Sequence, residues 1–314
     1  MGVWEPFCPA RWLGSSAVRV LVLGSSGMLG HKLLQILSQR FETYGTTRTP
    51  QPILERVAPG ALGVLDGVSA EDLDSVSDAF ATTRPDVAIN CIGIVKQLDE
   101  AKNPIASISV NSLFPHQLAE ICRTHDARLV HVSTDCVFSG SKGAYTEDDT
   151  PDPVDLYGRS KLLGESGEDP TLTIRTSIVG RELYGAHGLV EWFLAQRGGS
   201  VRGFRRAVFS GWSTEALAHA VAEVAERHPQ LTGLWHVAAE PIAKYDLLCL
   251  LRDAFDLNVS IEPDDDFECD RSLDGSRFAA ETGISAPAWP EMIERLRDDS
   301  PLYDSLREAS VAGR

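Results

Sequence analysis

The sequence predicts an α/β protein with a doubly wound parallel sheet, followed by a smaller C-terminal domain. Short apolar stretches of strand length recur through the first 175 residues, and amphipathic stretches with helical spacing separate them. Such alternation is typical of a parallel sheet covered by helices on both faces. It loosens after residue 176, where we expect the second domain to begin. The predicted strands are residues 18–23, 43–47, 62–65, 87–92, 128–133 and 171–175, and the predicted helices include 29–39, 70–82 and 104–124.

The first predicted strand leads into a glycine-rich turn and then into an amphipathic helix. Gly24, Gly27 and Gly30 give the spacing G-x-x-G-x-x-G, in the strand–turn–helix context that a dinucleotide-binding fingerprint requires. Gly24 would permit the tight turn, Gly27 would let the backbone approach a pyrophosphate, and Gly30 would let the helix pack on the strand. The helix N-terminus would then hold the phosphate charge. The alternative is an ordinary glycine-rich turn, since the usual fingerprint reads G-x-G-x-x-G.

The end of the second predicted strand bears on the choice of nicotinamide cofactor. A carboxylate about 20 residues beyond the glycines would bind the ribose hydroxyls of NAD. The sequence there is TTRTP, which offers Arg48 and no carboxylate. A guanidinium suits a 2′-phosphate, because its planar donors bind phosphate oxygens in pairs. We therefore predict NADPH, with NADH as the alternative if Arg48 is an ordinary surface charge.

The predicted strand at residues 128–133 ends in two hydroxyl side chains, Ser133 and Thr134. Ligands of open α/β sheets bind outside the carboxyl ends of the strands. A Thr134 hydroxyl in that place would donate a hydrogen bond to a substrate carbonyl. The alternative is a Ser/Thr turn after a strand, which is common.

Tyr157 and Lys161 stand four residues apart in the run DLYGRSKLLGE, after a loop marked by Pro151 and Pro153. Positions i and i+4 of a helix share one face, so the phenol and the ammonium would project into the same site. We expect the positive charge to lower the phenol pKa from its usual value of about 10, which would allow proton exchange near neutral pH. Such pairs also occur by chance, and it is the glycine turn and the Thr134 strand that favour catalysis here.

With these features in order, the chain resembles the extended short-chain dehydrogenases/reductases, and within them the dTDP-4-dehydrorhamnose reductase group. The resemblance covers residues 18–298, and its most specific part is the succession of STD-x-VF, Y-x-E-x-D and YG-x-SK-x-x-GE. The matching stretches read RVLVLGSSGMLG, INCIG, SVNSLFPHQLAEIC, VHVSTDCVFSG, YTEDDTPDPVDLYGRSKLLGE, IRTSIVG, DRSLDGSRF and PAWPEMIERL.

The resemblance implies a Rossmann fold and catalytic roles for four residues. Tyr157 would be the general acid that protonates the carbonyl oxygen, Lys161 would lower its pKa and bind the nicotinamide ribose, and Thr134 would hold that oxygen. Asn111 would support the proton path, although a helix-cap or surface asparagine is the alternative. The implied cofactor-binding residues are Gly24, Ser26, Gly27, Met28, Leu29, Gly30, Arg48, Asp66, Asn90, Cys91, Ile92, Gly93, Tyr157 and Lys161.

The resemblance also implies how the chain is divided and what the second half does. We expect an NAD(P)-binding domain at residues 18–175 and a mainly substrate-binding domain at residues 176–314. A strand near 234–238 and a helix near 243–255 would belong to a part, residues 230–260, that returns to the first domain.

The region expected to shape the substrate pocket departs from the family pattern. Cys136 stands where relatives often carry an aromatic residue, and GFRRAVFSGWST and IVGRELYGAHGLVEWFLAQ are unusual segments. The reductase chemistry is therefore better supported than the particular sugar. Trp192 suits a core position as well as a sugar contact. The predicted substrate contacts are Asp135, Val137, Phe138, Trp192 and Arg205.

We therefore predict an NADPH-dependent reductase of a nucleotide-linked 4-keto-6-deoxy sugar, with a role in polysaccharide biosynthesis. A first alternative is a sugar-nucleotide 4-epimerase or a dehydratase that keeps its NAD(P) bound. Against a dehydratase, Thr134 is followed by Asp135 and Cys136 rather than by an Asp-Glu pair. A second alternative is a non-catalytic NADP-binding regulatory subunit like that of methionine adenosyltransferase, because fold does not fix function.

The composition agrees with a soluble cytoplasmic enzyme. The 314 residues, 43% of them hydrophobic, suffice for one large or two unequal domains. A net charge of −16 argues against nucleic acid as a partner, and no stretch is long enough to span a membrane. The six cysteines and eight histidines lack metal-ligand spacing, so we predict reduced thiols and no metal. We expect residues 1–17 to be a disordered extension, and the resemblance allows a homodimer.

Overall fold

The computed structural model describes residues 17–167 and 170–312, so the extension predicted at residues 1–17 lies outside the described residues except for Ala17. The chain has the predicted α/β architecture. Numbered along the chain, the strands are β1 (Arg19–Leu23), β2 (Glu42–Thr46), β3 (Gly63–Leu65), β4 (Val87–Asn90), β5 (Arg128–Thr134), β6 (Thr171–Thr176), β7 (Ile178–Val179), β8 (Ser200–Phe209), β9 (Trp212–Ser213), β10 (Gly233–His236), β11 (Ile242–Ala243) and β12 (Ser260–Asp270).

Within the described ranges, the main sheet has seven parallel strands in the order β10-β6-β5-β4-β1-β2-β3. The predicted strands correspond to β1 to β6 and β10, so this prediction is confirmed. The strands β4 and β6 are buried along their whole length, as parallel strands covered on both faces should be. The winding reverses between β1 and β4, and ligands of such sheets bind outside the carboxyl ends of the strands at this point.

The helices cover both faces of the main sheet and then continue into the C-terminal half. Side-chain caps start several of them; for example, the carboxylate of Asp72 accepts from the backbone N–H of Ser75 at 3.3 Å. In the described part of the chain, no helix combines the length and the apolarity needed to cross a bilayer. The α-helices are α1 (Gly30–Leu37), α2 (Ile53–Val57), α3 (Leu73–Thr83), α4 (Pro104–Ser107), α5 (Phe114–Thr124), α6 (Leu156–Leu163), α7 (Leu189–Leu194), α8 (Thr214–Arg227), α9 (Lys244–Ala254), α10 (Ser276–Thr282), α11 (Trp289–Asp298) and α12 (Ser300–Ala312).

The predicted helix at 104–124 is interrupted by a π-helical turn at Ile108–Leu113. Asn103 caps its start by accepting from the backbone N–H groups of Ile105 and Ala106 at 3.0 and 3.4 Å. Pro115 follows the π-helical turn and has no N–H to give to the carbonyl one turn earlier, that of Asn111. The proline therefore accounts for the break in the regular helical hydrogen bonds at this point.

The C-terminal half adds a small mixed sheet in the order β11-β8-β12. Three arginines of β8 pair with acidic residues of β12 across its exposed face: Arg202 with Asp264, Arg205 with Asp265, and Arg206 with Glu268. The core of this half is continuous with the core of the main sheet, since one cluster of buried side chains runs from Val20 and Leu33 through Leu217 and Leu251 to Met292.

The last described helix, α12, docks on the start of α1. The buried His31 ring lies 2.8 Å from the Gly27 carbonyl through Nδ1 and 2.6 Å from the Tyr303 hydroxyl through Nε2. Lys32 pairs with Asp299 just before α12. Burial lowers the pKa of His31 to about 4, so the ring is neutral at physiological pH. The neutral ring thus joins α12 to the glycine turn.

We expect Tyr303→Phe to lower the free energy of unfolding by about 1–3 kcal/mol, because the His31 ring would keep a buried polar atom without a partner. Chemical denaturation measures the difference. Tyr184→Phe is the matched control, since the Tyr184 side chain is exposed. An equal effect of both substitutions would show that the hydrogen bond to His31 does not hold α12 in place.

Candidate active site

The glycine turn after β1 is fastened to the end of β2. The backbone N–H and the hydroxyl of Ser25 both donate to the Thr46 carbonyl, each at 2.9 Å, and the Gly24 N–H donates to Thr46 Oγ1 at 3.3 Å. Gly24 has a φ of +78°, which glycine adopts without strain. A Cβ on Gly30 would collide with the Gly24 carbonyl, so glycine is what lets α1 start so close to the turn.

Four of the predicted contacts in this turn, Ser26, Gly27, Met28 and Leu29, differ in accessibility. Ser26 and Met28 are partly exposed and Gly27 is exposed, whereas the Leu29 side chain is buried in the core. Leu29 therefore has only its backbone to offer a cofactor. A Cβ on Gly188, just before α7, would collide with the Met28 side chain, so the C-terminal half reaches the glycine turn here.

The neighbouring strand ends suit the far end of a dinucleotide. Arg48 lies two residues beyond β2 and Asp66 directly beyond β3, and both are exposed. Thr47 stands between the end of β2 and Arg48 and is buried. Its hydroxyl finds no hydrogen-bond partner among the described residues. A glycine cradle, an orphaned hydroxyl and an exposed guanidinium at adjacent strand ends fit a phosphate-bearing dinucleotide.

The segment after β4 runs past the glycine turn and is held by Asn111. The N–H of Cys91 donates to the Leu23 carbonyl at 3.0 Å, and the next residues, Ile92 and Gly93, continue along the predicted cofactor path. The Asn111 amide accepts from the Ile94 N–H and donates to the Ile94 carbonyl, both at 2.9 Å. Asn111 is buried within the π-helical turn, so the alternative of a surface asparagine is wrong.

The helix α6 carries Tyr157 and Lys161 on the side that faces β5. Asp155 caps its start by accepting from the Gly158 N–H at 2.8 Å. The Lys161 ammonium is buried and donates to the Val132 carbonyl at 2.8 Å. Burial lowers the pKa of Lys161 to about 8, against the opposing effect of Glu165 and Cys91.

The expected lowering of the Tyr157 pKa by Lys161 is not found. Burial raises the pKa of the phenol, and the acidic groups of Cys136 and Asp135 act in the same direction. The Thr134 side chain is close enough to oppose this rise. The physical reason is that the Lys161 ammonium is directed at the Val132 carbonyl, so its charge does not offset the desolvation of the phenol.

Two glycines let α6 approach its neighbours closely. A Cβ on Gly158 would collide with the Cys136 carbonyl, and a Cβ on Gly164 would collide with the Asn111 carbonyl. The second of these carbonyls is the one to which Pro115 cannot donate. Asn111 also donates to the Ser160 hydroxyl at 3.2 Å, so its amide joins the segment after β4 to α6. The close contacts of Gly158 and Gly164 and the hydrogen bond of Ser160 fix the position of α6, and therefore of Tyr157, relative to the end of β5.

Thr134 lies at the end of β5 as predicted and is buried. Its hydroxyl accepts from the Cys136 N–H at 3.1 Å and donates to an Asp135 carboxylate oxygen at 3.2 Å. The Thr134 side chain also acts on the pKa of the Tyr157 phenol. The hydrogen bond to Asp135 and this effect on Tyr157 place the three residues in one site.

Two cations near Asp135 were not identified from the sequence as site residues. The Lys244 ammonium lies 4.2 Å from the centre of the Phe209 ring, and Arg271 donates from Nε to the Phe138 carbonyl at 2.9 Å. Burial raises the pKa of Asp135, and Lys244 and Arg271 oppose the rise. Arg271 belongs to the DRSLDGSRF stretch, which was a usable signal, whereas nothing in the sequence marks Lys244.

Several predicted substrate contacts are not offered to a ligand. Val137 and Phe138 are fully buried, and Phe138 stacks on Tyr145 with ring centres 4.1 Å apart. The predicted contacts of the Val137 and Phe138 side chains with substrate are therefore wrong, because the chain turns back into the core after Thr134. Arg205 is on the exposed face of β8, where Asp265 already neutralises its charge. Trp192 is 38% exposed on α7 and leans on Phe193, so it is not a core residue.

Comparisons with known proteins agree with this architecture. A family model described as the RmlD substrate binding domain matches residues 18–299. A solved structure of a hypothetical dTDP-4-dehydrorhamnose reductase from Sulfolobus tokodaii superimposes with a TM-score of 0.73. It is 29% identical in sequence, and the match covers 87% of this chain and 98% of that one.

Curated relatives bear two kinds of name. A dTDP-4-dehydrorhamnose reductase from Streptomyces griseus is 36% identical over 191 residues, which cover 59% of this chain and 53% of that protein. Methionine adenosyltransferase 2 subunit beta from Mus musculus is 26% identical over 313 residues, which cover 88% of this chain and 89% of that protein. The chain spans about half the length of the first reductase relatives that it matches.

We expect Gly158→Ala to lower the free energy of unfolding by about 1–3 kcal/mol, because the added methyl group forces α6 away from the Cys136 carbonyl. Chemical denaturation measures the loss. Gly167→Ala is the control, since no atom of the described residues lies within 4 Å of a Cβ at that position. Equal stability of the two variants would mean that α6 is free to shift at Gly158.

Proposed function

The chain belongs to the family described as the RmlD substrate binding domain, and from that premise we propose that it is an NADPH-dependent reductase of a nucleotide-linked 4-keto-6-deoxy sugar. The observation that carries the proposal is the convergence of Thr134, Tyr157 and Lys161 at the carboxyl end of β5. The reductase from Streptomyces griseus among its relatives supports the same chemistry.

The cofactor would lie across the carboxyl ends of the central strands. The backbone of the glycine turn and the N-terminus of α1 would hold its pyrophosphate. Arg48 would pair with the 2′-phosphate, and the Lys161 ammonium would donate to the nicotinamide ribose. When bound, the nicotinamide supplies the hydride that adds to the carbonyl carbon.

Tyr157 acts as the acid of the reaction. Its phenol gives a proton to the carbonyl oxygen while the carbon receives the hydride, so the ketone becomes an alcohol with charge balanced. The phenol is protonated at neutral pH, but its raised pKa makes it a weaker acid, so the bound substrate and cofactor would have to offset this rise. The Thr134 hydroxyl would turn from Asp135 to donate to the same oxygen. The Lys161 charge would stabilise the phenolate left behind once the ammonium has turned from the Val132 carbonyl to the ribose.

The two cations near Asp135 would recognise the anionic part of the substrate. Lys244 and Arg271 flank the end of β8, since Lys244 follows β11 and the Arg271 N–H donates to the Val208 carbonyl at 3.0 Å. A nucleotide diphosphate carries negative charge that such a pair would neutralise. The net charge of the chain is −16, so its acidic groups as a whole repel an anionic nucleotide, and Lys244 and Arg271 would act against this repulsion locally.

A second function is favoured by one specific observation, the match to methionine adenosyltransferase 2 subunit beta over nearly the whole chain. We propose as the alternative a non-catalytic subunit that binds NADP and a partner enzyme. A sugar-nucleotide 4-epimerase would use the same Tyr157 and Lys161. A dehydratase is disfavoured because Asp135 is followed by Cys136, which the pKa of about 12 keeps as a neutral thiol.

We expect Tyr157→Phe to reduce kcat by about 100-fold to 10,000-fold, because the variant lacks the acidic proton. The assay follows loss of NADPH absorbance with dTDP-4-keto-6-deoxyglucose, its epimerised L-form and the UDP counterparts. Tyr184→Phe serves as the control. If NADPH binds tightly and no keto sugar turns over in the wild type, the reductase proposal fails and the regulatory alternative gains weight.

We expect Arg48→Gln to weaken NADPH binding by about 10-fold to 100-fold and to leave NADH binding unchanged, because one charge-assisted contact to the 2′-phosphate is lost. Fluorescence titration of both cofactors measures the two affinities. Arg197→Gln, another exposed arginine, controls for the change in net charge. A parallel loss of affinity for both cofactors would contradict the assignment of Arg48 to the 2′-phosphate.

A further inference from the structure

A buried carboxylate lies directly behind the proposed catalytic lysine. Glu165 follows the end of α6 and accepts from Arg175 through both oxygens, at 2.9 Å to Nε and 2.7 Å to Nη2. The Ser133 hydroxyl donates to the same carboxylate at 2.6 Å. The two charged side chains are 7% and 5% exposed, so this is a buried and bidentate ion pair.

Glu165 and Lys161 reach adjacent residues of the same strand. The Lys161 ammonium donates to the Val132 carbonyl, and the next residue, Ser133, donates to the Glu165 carboxylate. Glu165 comes four residues after Lys161, two residues beyond the last residue of α6. An anion is therefore held beside the ammonium by two partners that lie on other strands, β5 and β6.

Stability alone gives little reason for such a pair. Desolvating two charges offsets most of their attraction, and a well-packed apolar pair of similar volume often stabilises a protein as much. What an apolar pair cannot provide is a fixed negative charge beside Lys161. A buried ammonium without such a charge would lose its proton readily, because burial disfavours the charged form.

We infer that Glu165 is a positioning residue for Lys161: fixed by Arg175 and Ser133, its carboxylate keeps the ammonium charged and directed at the end of β5. The inference rests on the proposed reductase function for its chemical meaning, since the charged form of Lys161 is what would bind the ribose and stabilise the phenolate. Glu165 acts through Lys161 and touches no substrate.

The other groups around Lys161 do not supply this charge. Burial raises the pKa of Cys91 to about 12, so its thiol is neutral at physiological pH. Burial holds the pKa of His131 well below its usual range, so that ring is neutral too. On the far side of Glu165, His236 has a lowered pKa and lies 3.3 Å from Arg175. Among the described residues that act on Lys161, Glu165 is thus the anion present at neutral pH.

The test measures the protonation of Lys161 itself. The chain has six lysines, so selective ¹³Cε labelling gives few resonances, and the one missing in Lys161→Arg is that of Lys161. In the full-length protein without cofactor, we expect Glu165→Gln to lower the titration midpoint of Lys161 by about one pH unit, because the favourable charge is gone.

Glu147→Gln is the matched control. The Glu147 carboxylate is as buried as that of Glu165. It accepts from the backbone N–H of His236 at 2.9 Å, and the ring of His236 contacts Arg175. It is not among the groups that act on Lys161. We expect Glu147→Gln to leave the titration midpoint of Lys161 unchanged, even if it lowers the free energy of unfolding as much as Glu165→Gln does.

The outcomes separate this inference from the proposed function. An unchanged Lys161 midpoint in folded Glu165→Gln would overturn the inference, as would an equal shift in Glu147→Gln. If Glu165→Gln does not fold, the double variant Glu165→Gln/Arg175→Gln removes both buried charges. We expect it to show a smaller downward shift of the Lys161 midpoint, because loss of the Arg175 cation partly offsets loss of the anion. Failure of the reductase proposal appears instead as absent keto-sugar turnover, while the Lys161 titration stays readable.

Discussion

The close approach of α6 to the end of β5 is the constraint on which the rest of the site depends. Tyr157 and Lys161 can reach the strand end only because Gly158 and Gly164 leave room for the carbonyls of Cys136 and Asn111. Pro115 cannot donate to the second carbonyl, and the π-helical turn stands where this bond is missing. A local irregularity in one helix thus sets the position of the next.

Placing the helix so near the sheet has an electrostatic consequence. Lys161 is desolvated by the same contacts that position it, and its pKa falls to about 8 as a result. The ammonium that we propose as catalytic needs a compensating charge in this place, yet an anion on the proposed cofactor side would repel phosphate. Glu165 lies behind the lysine instead, where Arg175 balances it. In the proposed site, the anion that compensates Lys161 therefore lies behind the lysine and is itself paired with Arg175.

Sequence reasoning recovered what depends on short-range spacing. The strand–turn–helix with its glycines, the threonine at the end of β5 and the i, i+4 pair on α6 are local patterns, and the structure contains each of them. It did not find Lys244, which comes to Asp135 only through the pairing of β11 with β8. It misjudged the Tyr157 pKa, because helical spacing reports the distance between two residues and not the burial or the direction of their side chains. Val137 and Phe138 show the same limit, since a motif gives no sign of which residues turn inward.

The same long-range contacts argue against a sharp physical division between a cofactor half and a substrate half. The helix α1, which would hold the pyrophosphate, packs on α8 from the C-terminal half and is touched by Tyr303 of α12. The family match ends at residue 299 and α12 begins at Ser300, so the contact of Tyr303 with His31 lies outside the matched residues. A helix of eight residues is too short to be stable by itself, and packing on both sides is what maintains its orientation. Loosening either side of α1 would therefore disturb the glycine turn from which it starts, and with it the proposed cofactor site.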